Sequence, residues 1–121
     1  AANGLATYFY GSETHGIHSI VGEKFATIVQ RELIARTDLS NNRTNAKTWN
    51  LLRLTKAPAV MLDIGYISNP KDSSRLADPN FRDVIAEGLV VAIQRMYLSA
   101  EQDAKTGTLR LEDLRKAGLR K

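Results

Sequence analysis

Few residues in this chain have the type and spacing to do chemistry. Asp63 stands alone as a carboxylate inside the apolar run "AVMLDIGYI", Ala59 to Ile67. Asp is depleted in strands, and a buried charge without partners costs several kcal/mol, roughly, after relaxation. Two roles answer that cost: a site carboxylate at the end of a strand, or a structural Asp that accepts backbone N–H groups from the following helix start. His15 and His18, in "HGIH", are the only histidines. Zinc takes at least three protein ligands; Glu13 is the one neighbour able to act as a third, and the pair reads as solvated loop histidines. In the charged C-terminal stretch, Thr106 and Thr108 flank a glycine in "AKTGTLRL", where a kinase can reach them. Phosphorylation there would add nearly two negative charges per threonine.

Other chemistries lack their motifs. The sequence has no G-x-S-x-G elbow, no P-loop and no G-x-G-x-x-G. Lys and Arg are scattered rather than striped with aromatics, which argues against nucleic acid. The net charge of +4 tolerates an acidic partner without requiring one. Cysteine is absent, so disulfides and thiolate metal sites are excluded. No apolar run approaches the ~18 residues of a membrane span, so direct membrane insertion is not expected. The start, "AANGLATYFY", opens almost directly in a strand pattern without an initiator Met, as expected of a piece whose upstream part lies elsewhere.

The elements that position these residues form an α/β pattern. "GLATYFYG" reads as a first strand, Gly4 to Gly11. Ile17, Ile20, Val21, Phe25, Ile28, Val29 and Leu33 recur at helical spacing, predicting one helix from Ile17 to about Arg36, followed by a polar loop in "DLSNNR". "TWNLLRLT" is expected as a second strand, with Trp49, Leu51 and Leu52 buried. "AVMLDIGYI" is expected as the central strand, apolar on both faces as parallel strands are. Asn69-Pro70 looks like an N-cap and first helical position, with Asp72 favourable in the first turn. Asp78-Pro79 repeats the device for a helix from Asn80 to about Leu98, whose "LVVAI" centre predicts packing on more than one side. Residues 1–99 then form the folded domain and residues 100–121 a charged tail.

Together, "GLATYFYG", "VGEKFATIVQRELIART" and "LLRLTKAPAVMLDIGYISNPKDSSRLADPNFRDVIAEGLVVAI" resemble the C-terminal part of a zinc-dependent N-acetylmuramoyl-L-alanine amidase domain (amidase-3). The resemblance covers about Gly4 to Leu98, roughly half of a family domain, and is most specific from Pro58 through Asn80. It implies an amidase-3-like sheet flanked by helices, with the N-terminal half of the domain missing. Family members cleave the amide between the lactyl group of muramic acid and the first alanine of the peptide. They use a zinc ion held by two His and one Glu, and a second Glu as general base. The resemblance places the zinc-ligand motifs upstream of Ala1, matches neither His15 nor His18 to a ligand, and so implies no metal or other cofactor in this segment. It places Asp63 at the general-base position, one methylene short of the family's Glu.

A narrower resemblance, carried by "HSIVGEKFATIVQRELIART", "NAKTWNLLRLTKAPAV" and the Thr-Gly-Thr tail, is to an actinobacterial branch of the family that has lost hydrolysis. It implies a cytoplasmic regulator of peptidoglycan precursor synthesis. Thr106 and Thr108 would be the phosphoacceptors of a membrane Ser/Thr kinase, and UDP-GlcNAc enolpyruvyl transferase the partner. The alternatives are a working zinc amidase in the cell wall, or a module that binds peptidoglycan or its precursors without chemistry.

Overall fold

The computed structural model describes residues 2–12 and 16–102. Eight elements follow in order: β1 (Leu5–Ser12), β2 (Ile17–His18), α1 (Ile20–Arg36), β3 (Asn41–Lys47), α2 (Asn50–Leu54), β4 (Met61–Ile64), α3 (Pro70–Ala77) and α4 (Pro79–Gln102). They form a mixed sheet of four strands with helices packed on it, the expected α/β class. No helix among the described residues is long and apolar enough to cross a membrane.

The sheet is built around β1. β3 runs parallel to it on one side, while β4 and β2 pair antiparallel on the other, β4 along Leu5–Tyr8 and β2 at Gly11 and Ser12. Alternation along a strand sends successive side chains to opposite faces. Leu5, Thr7 and Phe9 accordingly turn inward, where Leu5 meets Ile28, Val29, Leu33, Ile85, Ala92 and Met96 of α1 and α4 in the core. Gln30 of α1 closes the polar ends of this layer. Its amide accepts from the Thr7 hydroxyl at 2.8 Å and donates to the Leu5 carbonyl and the Asn41 side chain, each at 2.8 Å.

α1 begins where Ser19 caps it, its hydroxyl accepting from the Gly22 N–H at 2.9 Å. Ile17 belongs to β2 rather than to the helix, because the chain there pairs back on β1 before Ser19 can cap. α3 starts as expected, with Asn69 accepting from the N–H groups of Lys71 and Asp72 and Pro70 in the first turn. α4 starts at Pro79 and continues to Gln102, beyond the helix end expected near Leu98.

Three expectations are corrected. The segment 48–55 is not a strand: Asn50–Leu54 is a short helix, and of Trp49, Leu51 and Leu52 only Leu52 is buried. The strand is instead Asn41–Lys47, which begins inside the polar stretch "DLSNNR" expected as loop. There the ladder to β1 satisfies the backbone, and an edge strand with exposed faces needs no apolar pattern. β3 also carries a bulge against Leu5–Thr7, where Arg43 takes φ 66° and Asn41 accepts its N–H at 2.9 Å. The strand holding Asp63 is neither central nor parallel; β1 is central, and β4 pairs with it antiparallel. As expected, α4 packs on more than one element, α1 and α3, while Val90 and Ile93 stay exposed.

Candidate functional site

Asp63 lies on β4 opposite Ala6 of β1, and its side chain is exposed. The buried-strand expectation fails because only the alternate residues Leu62 and Ile64 turn toward the core. Two residues along β1 on the same face, Tyr8 neighbours the Asp63 carboxylate. Burial, and then the interaction with the negatively charged Asp63 carboxylate, push the Tyr8 hydroxyl above its ordinary value. On its other side the Tyr8 ring meets Trp49 edge-on, centroids 5.0 Å apart. The Lys47 ammonium stands 5.8 Å from the centroid of each ring. The open face thus aligns a carboxylate, a phenol, an indole and an ammonium.

The structural role weighed for Asp63 falls to another carboxylate. Asp72, 1% exposed, accepts from the backbone N–H of Gly4 at 3.0 Å and of Tyr66 at 3.1 Å. Its other oxygen accepts from Arg75 Nη1 at 2.9 Å, and Arg75 reaches on to Asp38 through Nε and Nη2 at 2.8 and 2.9 Å. Gly65 makes the approach possible. Its φ is +82°, its N–H donates to the Gly4 carbonyl at 2.8 Å, and a Cβ there would lie 3.1 Å from the Asp72 Cβ. The "GYISNP" turn is therefore an anchor that ties the start of β1, the end of β4 and the start of α3. The spacing Asn69-x-x-Asp72 with Arg75 one turn on is the signal that would have marked Asp72 in the sequence.

His18 Nε2 lies 3.1 Å from Glu23 Oε1 near the start of α1. Glu13, His15, Thr106 and Thr108 lie outside the described residues. Among the described residues no three His, Asp or Glu side chains converge, so these residues do not fit a zinc ion by themselves.

A second carboxylate cluster sits between α1 and α4. Glu32, largely buried, pairs with Arg36 at 2.6 Å and with Arg95 at 2.8 Å. The Arg36 hydrogen bond, aided by the charges of Arg95, Arg36 and Arg31, holds the Glu32 carboxyl below its ordinary value of 4.5. Its stabilising effect is therefore complete above that value and is lost as pH falls through the lower folded-state value. We expect the urea midpoint of the wild type to drop more steeply on acidification from 4.5 downward than that of Glu32→Gln. Equal slopes would show that the cluster does not discriminate the charged form.

The comparisons with known proteins agree on one family. The amidase-3 model, described as N-acetylmuramoyl-L-alanine amidase, matches residues 1–95. The chain is 46% identical over 114 residues to the N-acetylmuramoyl-L-alanine amidase CwlM of Mycobacterium tuberculosis, covering 94% of this chain and 28% of that protein. It is 33% identical over 99 residues to the probable cell wall amidase LytH of Staphylococcus aureus, covering 82% of this chain and 31% of that protein. In fold it is similar to an N-acetylmuramoyl-L-alanine amidase from Clostridium difficile 630, with a TM-score of 0.70 at 21% identity over 84% of this chain and 51% of that one. The chain spans under a third of the length of the curated relatives it matches. Its sheet, its "GYISNP" anchor and these matches lead to one conclusion: the chain belongs to the N-acetylmuramoyl-L-alanine amidase (amidase-3) family.

Proposed function

We propose that this protein is an amidase-3 homologue that recognises peptidoglycan or its precursors without hydrolysing them, and that it regulates precursor synthesis from the cytoplasm. The observation that carries the reading is Asp63, at the position the resemblance assigns to the general base. A general base works within roughly 2.6–3.2 Å of the proton it takes, and a misplacement of ~1 Å costs on the order of 100-fold. Asp63 is one methylene short of Glu. The described residues offer no donor set for zinc.

In this reading Thr106 and Thr108 are the switch. Phosphorylation by a membrane Ser/Thr kinase would place nearly two negative charges per threonine on the tail and engage the UDP-GlcNAc enolpyruvyl transferase. The narrower family resemblance supports this part. A second reading, a working zinc amidase of the cell wall, draws on the exposure of Asp63, which leaves its carboxylate open to a substrate.

Muropeptide hydrolysis by the full-length protein tests the choice. We expect no free stem peptide from the wild type. Peptide released by Asp63→Glu alone would trace the lost activity to the missing methylene. Release by the wild type would overturn the regulatory reading in favour of the amidase.

A further inference from the structure

Between α1 and α4 the surface opens into a groove lined by Ile20, Lys24 and Arg31 of α1 and by Arg95 and Leu98 of α4. Ile20 and Leu98 are 77% and 56% exposed, and the side chains of Arg31 and Arg95 63% and 55%. Positive charge is in excess there. The buried Glu32 carboxylate faces three guanidinium groups, Arg36 at 2.6 Å, Arg95 at 2.8 Å and Arg31 at 4.0 Å, and its single charge cannot neutralise all three. Glu23, the one carboxylate lining the groove among the described residues, has His18 Nε2 3.1 Å away. Arginines in this state suit an anion that their planar forks can hold with paired N–H groups, phosphate above all.

The chain itself supplies such an anion within reach. α4 ends at Gln102, one turn beyond Leu98, and Thr106 and Thr108 follow four and six residues later. Four extended residues span up to about 14 Å, more than the roughly 10 Å between Gln102 and Arg95 along the helix axis. Charge decides whether the tail turns back. Residues 103–121 carry six basic and three acidic side chains, a net +3 of the same sign as the groove. Two phosphates add about three to four negative charges and reverse that sign. We propose that the groove between α1 and α4 is the docking site of this chain's own doubly phosphorylated Thr106–Thr108 segment. Arg31 and Arg95 hold the phosphates, and Leu109 covers the exposed Ile20 and Leu98. Without phosphate the like charges keep the tail off the groove. The inference rests on the proposed function in taking Thr106 and Thr108 as phosphorylated, and it makes the docked tail, rather than the bare one, the surface a partner meets.

A fluorescein-labelled peptide of residues 103–114, made with and without phosphate on both threonines, is titrated into the full unphosphorylated chain and followed by fluorescence anisotropy. The expected result is saturable binding of the phosphopeptide, at least about tenfold tighter than that of the plain peptide. Arg31→Gln, an exposed substitution whose fold is checked by circular dichroism, should weaken the phosphopeptide by about tenfold. Lys56→Gln, exposed and outside the groove, should leave it unchanged. In the full chain carrying both phosphates, the tail fills the groove at an effective concentration on the order of millimolar, and added phosphopeptide should bind at least about tenfold more weakly. No saturable binding, equal binding of the two peptides, equal binding to Arg31→Gln, or undiminished binding to the phosphorylated chain overturns the docking. The phosphates are introduced by synthesis, so these outcomes judge the docking alone. Threonines found unphosphorylated in cells would overturn the regulatory reading instead.

Discussion

Replacing Asp72 with alanine is expected to lower the unfolding free energy by about 3–5 kcal/mol, the range for breaking a buried, hydrogen-bonded charge pair. The carboxylate is 1% exposed, and each of its partners lies on a different part of the chain: Gly4 at the start of β1, Tyr66 in the turn after β4 and Arg75 in α3. Removing it leaves two backbone N–H groups without an acceptor in a place water does not readily enter. Arg75 keeps Asp38, an exposed partner that cannot replace the buried contact. Against a total stability of about 5–15 kcal/mol for a domain, that loss is a third or more. Asp72→Asn should fall between wild type and alanine, since its amide oxygen still accepts from Gly4 and Tyr66 while its NH2 replaces an acceptor for Arg75. Urea unfolding followed by circular dichroism measures both variants. A loss below about 1 kcal/mol for the alanine variant, the scale of an exposed ion pair, would show that the turn is held without this carboxylate.

Leu33→Ala should cost about 2–5 kcal/mol, as deletion of a buried leucine side chain does. Leu33 is fully buried in the layer that joins α1, α4 and β1. The two helices come close there because position 88 of α4 is glycine; a Cβ at that position would stand 2.6 Å from the Leu33 Cδ2. Gly88→Ala in the wild type must therefore displace Leu33, even though alanine is the better helix former by about 1 kcal/mol. In the Leu33→Ala background the same methyl points into the vacated space and should recover part of the loss. The cycle of single and double variants is expected to show a favourable coupling of about 1 kcal/mol or more. Additive effects would mean that α1 and α4 do not touch through this pair.

The elements that were legible in the sequence are those whose signals are local. α1 announces itself by helical spacing, α3 by Asn69-Pro70, α4 by Asp78-Pro79 and β1 by its aromatic and β-branched run, and each signal acts within one turn of its own residues. The family resemblance drew on the same stretches, and the "GYISNP" turn that carried it proves to be a compact anchor. β3 was illegible because nothing in "NNRTNAK" favours a strand; β1 beside it supplies the hydrogen bonds, and exposed faces impose no pattern. Trp49 and Leu51 were expected inside because they are large and apolar, yet a helix of five residues presents only Leu52 inward.

The carboxylates mark the division most clearly. The sequence by itself determined that this turn region carries carboxylates at Asp63 and Asp72, a capped helix start and a glycine able to take positive φ. Which of the two is buried was decided only by the tertiary structure. The strand sends Asp63 outward by its pairing with Ala6, while Gly65 admits Asp72 to the Gly4 N–H, a donor distant in sequence. Strand register and long-range approach are properties of the assembled sheet, and neither is written in the neighbours of the residue concerned.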